Sequence, residues 1–236
     1  SLHWGMCCKA DNSKIIVRKD LFMQQKIDLI LKNEQKDFFL DSCSSQKLKL
    51  VYKVAKGIEF KVVVVDFSTK DFNFDLEIEL EEDSSSIVKL SSVCLDCKKH
   101  FTVNVTHKGK NSFSRTIMSG INCGKGSLRF LGNSLIINGA TGSDTRQEGK
   151  ITNLSPDAIS EVSPALLIKE NDVKASHGAA LGAYNPDVIF YLMSRGLSLA
   201  ESKKLIMVGN VYPIIDSLQD ESAKQKAKSY MEALSL

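Results

Sequence analysis

The stretch DFNFDLEIEL, residues Asp71–Leu80, decides the fold of this chain. Apolar and polar residues alternate along it, which is the pattern of a β-strand with one buried and one solvated face. Similar runs (EFKVVVVDF, SIVKL, FTVNVTH and SLRFLGNSLIING) recur without long helical patterns between them. The pattern predicts an all-β domain, either a sandwich or a β-solenoid. We find no fixed-period repeat that chooses between the two.

The character of the sequence changes near residue 170, where helical signals replace strand signals. Asn185 and Pro186 suit the start of a helix, and Gly196 suits the position just past its end. The motif SLAE that follows has the spacing of a capping box, and DESAKQKAKSYMEAL is amphipathic. We therefore predict a β core over 1–170 and a C-terminal segment over 171–236, in which a motif strand or loop precedes a helical tail.

The N-terminal part of the chain gives weaker signals. Residues 20–33 (DLFMQQKIDLILKN) are ambiguous, and a short helix is one interpretation, so that residues 1–35 are expected to be partly helical. We find no signal-peptide pattern and no apolar run near the roughly 20 residues that span a bilayer. The 6 cysteines are irregularly spaced, which indicates reduced thiols in a cytoplasmic protein.

Composition excludes some classes of function. The 31 basic and 28 acidic residues leave a net charge of +3, too small to indicate nucleic-acid binding. A carbohydrate-binding or carbohydrate-processing β-helix needs converging carboxylates or an aromatic groove. With 1 Trp, 7% aromatic residues and no export signal, the chain argues against that alternative.

The motif CLDC, followed by His100, resembles half of a zinc site, because two cysteines at this spacing supply two ligands from one turn. A second half with the matching spacing is missing from the sequence, and Cys123 completes the set only if the fold brings it close. A turn between two strands is therefore the favoured interpretation of Cys94 and Cys97.

The segment DVKASHGAALG, residues Asp172–Gly182, followed by DVIFYLMSRGLS, closely resembles the C-terminal signature of the SufB/SufD family of iron–sulfur cluster assembly scaffolds. The SufD-like version is the closer match, and weaker similarity extends the resemblance to roughly residues 100–215. In length, the chain resembles the short scaffolds of minimal SUF systems.

The resemblance implies a right-handed parallel β-helix followed by a small helical domain. It implies a scaffold without enzymatic activity that carries a transient iron–sulfur cluster. It also implies a SufC-like ABC ATPase as a partner and pairing of β-helices, either with a second SufB/SufD-like subunit or as a homodimer. Neither nucleic acid nor a membrane is an expected partner. A structural adaptor that binds the ATPase without a cluster is the alternative within the family.

The resemblance also assigns candidate residues by position. His177 matches the histidine that the family associates with cluster assembly, and His107 matches another family histidine loosely. Ala175 stands where SufD-like members often have a cysteine, so Cys123 is the candidate thiolate ligand. The candidate positions for ATPase docking are Tyr184, Phe190, Tyr191, Arg195, Gly196 and Leu205.

Overall fold

The computed structural model of the chain describes residues 14–16, 25–40 and 46–234. These residues form the following elements. The strands are β1 (Lys14–Ile16), β2 (Gln25–Ile30), β3 (Glu34–Leu40), β4 (Gln46–Val54), β5 (Glu59–Asp66), β6 (Phe72–Leu80), β7 (Ser85–Leu95), β8 (Lys98–His107), β9 (Phe113–Cys123), β10 (Ser127–Ile136), β11 (Asp144–Asn153), β12 (Ile159–Ile168) and β13 (Lys174–Ala183). The helices are α1 (Pro186–Ser194), α2 (Leu199–Ile215) and α3 (Glu221–Ala233). None of these described helices is long and apolar enough to cross a membrane.

The strands are wound into a β-solenoid, which confirms the predicted fold class. Odd-numbered strands form one sheet, here called sheet A, and even-numbered strands form a second, sheet B. Successive strands therefore alternate between the sheets, and each pairs in parallel with the strand two positions along. A sandwich is built from antiparallel strands, so the parallel register decides against it. Each circuit of the chain adds one rung, about 4.8 Å from the last.

The interior of the solenoid is filled by the apolar row that the alternating pattern predicted. Phe74, Phe101 and Phe130 lie in register on β6, β8 and β10 and are fully buried. Their ring centroids are 6.0 and 5.7 Å apart, within the range of favourable aromatic contacts. Identical side chains at one register position thus form a ladder that joins neighbouring rungs.

Charged residues of β4 and β6 pair on the outer face of sheet B. Lys47 Nζ lies 3.0 Å from a carboxylate oxygen of Asp75, and Lys49 Nζ lies 2.8 Å from one of Glu77. Exposed pairs of this kind add little stability. The acidic face of β6 is therefore part of the outer surface of the solenoid.

A second apolar cluster joins the C-terminal helices to the outer face of sheet A. Val65 and Ile121 of the sheet pack in one buried cluster with Val211 and Ile215 of α2. Helix α3 contributes Ala227 and other buried residues to the same cluster. The helices therefore cover one side of the solenoid.

The predicted helix starts are confirmed. The side chain of Asn185 accepts a hydrogen bond at the N-terminus of α1, with a proline in the first turn. Ser198 and Glu201 form the complete capping box at the start of α2. Gly196 has a φ of 96°, a left-handed conformation that glycine adopts without strain between α1 and α2.

Two segments differ in element type from the simplest sequence-based expectation. Residues 25–30 form strand β2, so the short helix considered for residues 20–33 is wrong over this part; residues 20–24 lie outside the described ranges. Parallel pairing with β4 satisfies the backbone of β2 and outweighs local helical propensity. Strand β13 continues the solenoid beyond residue 170, and the helices begin only at Pro186.

Candidate functional site

The last rung of the solenoid has open edges. Strand β12 ends sheet B and β13 ends sheet A, so among the described strands β13 pairs only with β11. Every residue of β13 is exposed. An edge strand presents unpaired backbone N–H and C=O groups to any chain that approaches it.

His177 lies in the row of β13 that faces the solenoid axis. It is in register with Gln147 of β11, just as Ala175 is in register with Thr145. Thr145 and Gln147 are buried in the interior, and side chains on adjacent parallel strands at one register position face the same way. His177 is therefore an inward-facing residue that is exposed because no described strand covers its rung.

Small residues surround His177 on its strand. Ala175 and Ala179 are the next residues in its own row, and Gly178 follows it directly. Short side chains let a second backbone approach β13 closely, while the imidazole is the largest polar group presented there. The small residues of the motif thus expose both the strand edge and the histidine.

His107 occupies the opposite environment. It is fully buried, and its Nδ1 and Nε2 lie 2.7 and 2.8 Å from the hydroxyl oxygens of Ser112 and Ser114. Burial lowers the pKa of His107 to about 4, so the ring is neutral at physiological pH. Both ring nitrogens already have partners, and a metal ion would have to displace one of them.

A chain of hydroxyl groups leads from His107 towards the last rung. Ser114 Oγ lies 2.7 Å from Thr145 Oγ1, which in turn lies 3.0 Å from Ser134 Oγ. The side-chain amide oxygen of Gln147 accepts a hydrogen bond from Ser134 Oγ at 2.5 Å when the amide is oriented to satisfy its surroundings. Sequence reasoning missed these residues, because only the winding of the chain brings them together.

Cys123 lies far from His177. On β9, Thr116 is in register with Gln147 of β11, which is itself in register with His177 of β13. Cys123 lies seven residues beyond Thr116 on β9. At about 3.3 Å per residue this places it roughly 20 Å away along the strand direction. Cys123 is buried, and burial raises the pKa of its thiol to about 11. Within the described ranges, no three His, Cys, Asp or Glu side chains cluster as a metal site.

The CLDC motif forms a turn between β7 and β8, as predicted. Asp96 in this turn has a φ of 51°. The Sγ atoms of Cys94 and Cys97 lie 3.5 Å apart, and neither is in a disulfide. The hydrogen bond from Cys94, together with the nearby Lys99 ammonium, lowers the pKa of Cys97 to about 7. The same hydrogen bond raises the pKa of Cys94.

Helix α1 presents apolar side chains to solvent. Phe190 is 76% exposed and Tyr191 is 54% exposed, although a single helix packed on a core normally buries its aromatic residues. The guanidinium of Arg195 lies over the Tyr191 ring, 5.2 Å from its centroid. Leu205 of α2 is 49% exposed as well. These residues supply an exposed apolar surface with one fixed positive charge.

The two other candidate docking residues have different surroundings. Tyr184 is half-buried against the cluster between α2 and sheet A, with Lys203 Nζ 5.5 Å from its ring centroid. Gly196 is exposed at the end of α1, where its conformation sets the angle to α2. Tyr184 is thus the one candidate position that is half-buried, whereas the other five are exposed.

Two carboxylates on the solenoid surface are engaged in ion pairs. Glu148 pairs with Arg115 at 3.2 Å, and Glu161 pairs with Arg129 at 3.4 Å. The phenylalanine ladder is inside the solenoid and cannot stack on a sugar. These features give no support to the carbohydrate alternative.

Comparison with known proteins agrees with the resemblance seen in the motif. A family model for the "SUF system FeS cluster assembly, SufBD core domain" matches residues 46–210, from β4 into α2. This range is well over half of the chain and includes both edge strands, His177 and all of α1.

Several curated proteins are similar to the chain. The iron–sulfur cluster assembly protein SufD of Bacillus subtilis is 34% identical over 57% of this chain and 31% of its own length. SufD of Escherichia coli is 35% identical over 34% of this chain and 20% of its own length. A SufBD family protein of Mycobacterium leprae is 33% identical over 50% of this chain and 14% of its own length. The chain thus spans less than a third of these relatives.

Proposed function

The chain belongs to the SufBD core family of the SUF system for iron–sulfur cluster assembly, and on that premise we propose that it is a non-enzymatic scaffold on which a nascent cluster is assembled. The observation that carries the proposal is His177, an inward-facing imidazole left exposed on the open last rung. The transient cluster is the cargo of this scaffold. The proposed setting is the cytoplasm, a reducing compartment that suits the free thiols of Cys94, Cys97 and Cys123.

The open edges of β12 and β13 are the proposed pairing surface. Backbone groups on the free side of β13 provide hydrogen bonds for an added strand, and its alanines and glycines permit close approach. The partner is a second SufBD-type subunit, either another copy of this chain or a different family member. Such pairing would cover His177 and place it at the subunit interface.

His177 is the proposed cluster ligand from this chain. Imidazole nitrogen ligates iron in known histidine-ligated clusters. His107 and Cys123 are weaker candidates, because His107 is bonded at both ring nitrogens and Cys123 is buried some distance away. The remaining ligands are therefore expected from the facing subunit rather than from this chain.

The exposed residues of α1 and α2 are the proposed docking surface for a SufC-like ABC ATPase. Phe190 and Tyr191 form its apolar centre, and Arg195 is available for a carboxylate of the partner. Exposed aromatic and arginine side chains are the residue types that dominate binding energy at protein interfaces.

Anaerobic reconstitution with ferrous iron and sulfide tests the cluster part of the proposal. The protein is purified with its partners, and cluster formation is followed by visible absorbance and iron content. We expect His177→Ala to lose most of the absorbance. Ser176→Ala, the adjacent substitution on the outward-facing row, is the matched control and should behave as wild type. Equal cluster content in the two variants would overturn the assignment of His177 and favour the adaptor alternative.

Affinity purification from the source organism tests the docking part separately. We expect an ABC-type ATPase to be recovered with the wild-type protein and lost with Phe190→Asp. Gln225→Asp, an exposed change on α3 outside the proposed docking surface, controls for a general effect of charge. Failure to recover any ATPase under gentle anaerobic conditions would contradict this part, whatever the result for His177.

A further inference from the structure

We infer that Cys94 and Cys97 form a reversible thiol–disulfide site that is oxidised by small peroxides, a role separate from the proposed cluster site. The pair lies at the turn between β7 and β8. Cys94 is in register with Asn122 of β9, which pairs with Asn153 of β11, at the end of the rungs opposite His177.

The two thiols are already close enough to react with little movement. Their Sγ atoms are 3.5 Å apart, whereas a disulfide requires about 2.05 Å, so a shift of roughly 1.5 Å joins them. Cys94 is the second-last residue of β7 and Cys97 lies in the turn that follows, so the loop that a disulfide would close is short. The proposed movement is a rotation of these two side chains.

The surroundings favour an internal reaction over reaction with a large molecule. Cys94 is fully buried and Cys97 is 5% exposed. The turn between β9 and β10 closes over the pair, and a Cβ on Gly126 would lie 3.0 Å from Cys94 Sγ. Only a small oxidant reaches Cys97 in the folded protein, and Cys94 is then the nearest thiol that can resolve the product.

The chemistry balances with hydrogen peroxide as the oxidant. The Cys97 sulfur attacks one peroxide oxygen, the O–O bond breaks, and a sulfenic acid and one water are formed. Cys94 Sγ then attacks the Cys97 sulfur, so that an S–S bond forms, the S–O bond breaks, and the hydroxyl leaves as a second water. The two thiols lose two electrons and two protons, and the peroxide is reduced to two waters.

Cys123 provides an internal comparison. It is a buried free thiol like Cys97, but burial raises its pKa to about 11, and no second described cysteine forms a hydrogen bond with it. A thiol that is largely protonated and has no resolving partner reacts slowly with peroxide. Selective oxidation of the pair over Cys123 therefore distinguishes a built site from general exposure to oxidant.

Peptide mapping of the full-length protein tests the inference. Trypsin releases both cysteines in one peptide, residues 90–98, and Cys123 in another, residues 116–125. After brief treatment with hydrogen peroxide, we expect the first peptide to lose the mass of two hydrogen atoms, to resist alkylation, and to recover both properties with dithiothreitol. Cys123 should remain alkylated in full.

Two variants identify the order of the steps. Cys94→Ser should stop at the sulfenic acid, which dimedone traps on Cys97, and Cys97→Ser should leave Cys94 reduced. Cys94→Ala replaces the serine variant if that one fails to fold. Full alkylation of both cysteines in the treated, folded wild type would overturn the inference, as would oxidation of Cys123 at the same rate.

Discussion

The middle rungs and the last rung of the solenoid both have inward-facing positions, but they differ in what covers these positions. In the middle, Phe101 and His107 are sealed between neighbouring rungs and exposed to no solvent. At the end, His177 and Ala179 occupy the equivalent row of β13 and remain exposed. The same strand geometry thus makes a buried core in one place and an exposed surface in the other.

The difference indicates that the middle rungs supply most of the stability, whereas the last rung keeps polar groups accessible. A repeat protein gains its stability from contacts between successive repeats, so a rung with two neighbours is held more firmly than a rung with one. An imidazole in the middle is neutralised and bonded, whereas one at the end keeps its nitrogens available. Substitutions in the two regions should therefore have very different effects.

The largest expected effect comes from the ion pair buried in the middle rungs. Lys99 Nζ lies 2.6 Å from Asp66 Oδ2 with both side chains fully buried. Lys99→Met should lower the free energy of unfolding by about 3–5 kcal/mol, because it leaves a carboxylate unpaired in the interior. Chemical denaturation measures this loss. Asp66→Asn combined with Lys99→Met should recover much of it, and Lys174→Met on exposed β13 should change stability by less than about 0.5 kcal/mol.

The second effect depends on pH and contrasts the two histidines. A histidine in the unfolded chain has a pKa near 6.5, and that of folded His107 is lowered to about 4. Above pH 6.5 both states are neutral and the group contributes no pH dependence. As the pH falls from 6.5 to 4, only the unfolded chain gains a proton, so the free energy of unfolding should decrease by up to about 3 kcal/mol.

Denaturation curves between pH 7 and pH 4, a range that includes the pKa of His107 in both the unfolded and the folded state, check this expectation. His107→Gln should show a shallower loss of stability than the wild type over this interval. His177→Gln, the matched substitution at the open end, is the control for removing a histidine that is not buried. A wild-type slope in the His107 variant would contradict the neutral, doubly bonded state of that ring.

These contrasts also mark how far sequence reasoning reached. The alternation around Phe74 was enough to predict the strands and their buried faces, and Asn185 and Ser198 predicted the helix starts, because these are local properties. Alternation did not distinguish a sandwich from a solenoid, since that choice depends on which distant strands pair. The family resemblance supplied it.

Candidate residues followed the same division. His177 stood out in a long motif, whereas His107 rested on a loose match to a family histidine. Cys123 was a substitute for the family cysteine replaced by Ala175, and the burial of both residues depends on their rung. The interior partners Ser114 and Gln147 carry no local signal at all. Whether a polar side chain in this solenoid is buried or accessible depends on its distance from the open end, and the neighbouring residues in the sequence do not reveal that distance.

A third, smaller effect compares two glycines on adjacent strands. A Cβ on Gly149 of β11 would lie 2.5 Å from Val162 Cγ1, whereas one on Gly178 of β13 would meet nothing within 4 Å. Gly149→Ala should therefore destabilise the protein by about 1–3 kcal/mol through overpacking. Gly178→Ala should stabilise it by roughly 0.5 kcal/mol, because alanine loses less backbone entropy on folding. Melting curves that shift in the same direction for both variants would contradict the difference between these rungs.

The smallest effect on folding is expected at the free edge itself, where proline can separate pairing from stability. The Lys174 N–H donates to the Ser143 carbonyl of the preceding rung at 2.9 Å. Because successive N–H groups of a strand point to opposite sides, the Ala180 N–H faces β11 and the Ala179 N–H faces the open edge. Ala179→Pro should change the free energy of unfolding by less than about 0.5 kcal/mol. Ala180→Pro removes a ladder hydrogen bond and should destabilise the rung.

Sedimentation of the two proline variants then tests what the open edge does. If β13 adds a strand from a second subunit, Ala179→Pro should weaken association while the protomer stays as stable as the wild type, since only the outward N–H is lost. Ala180→Pro shows how much association falls from damage to the rung alone. Unchanged association in Ala179→Pro would mean that subunits do not pair through backbone bonds at this position, and His177 would then lie at an exposed end rather than at an interface.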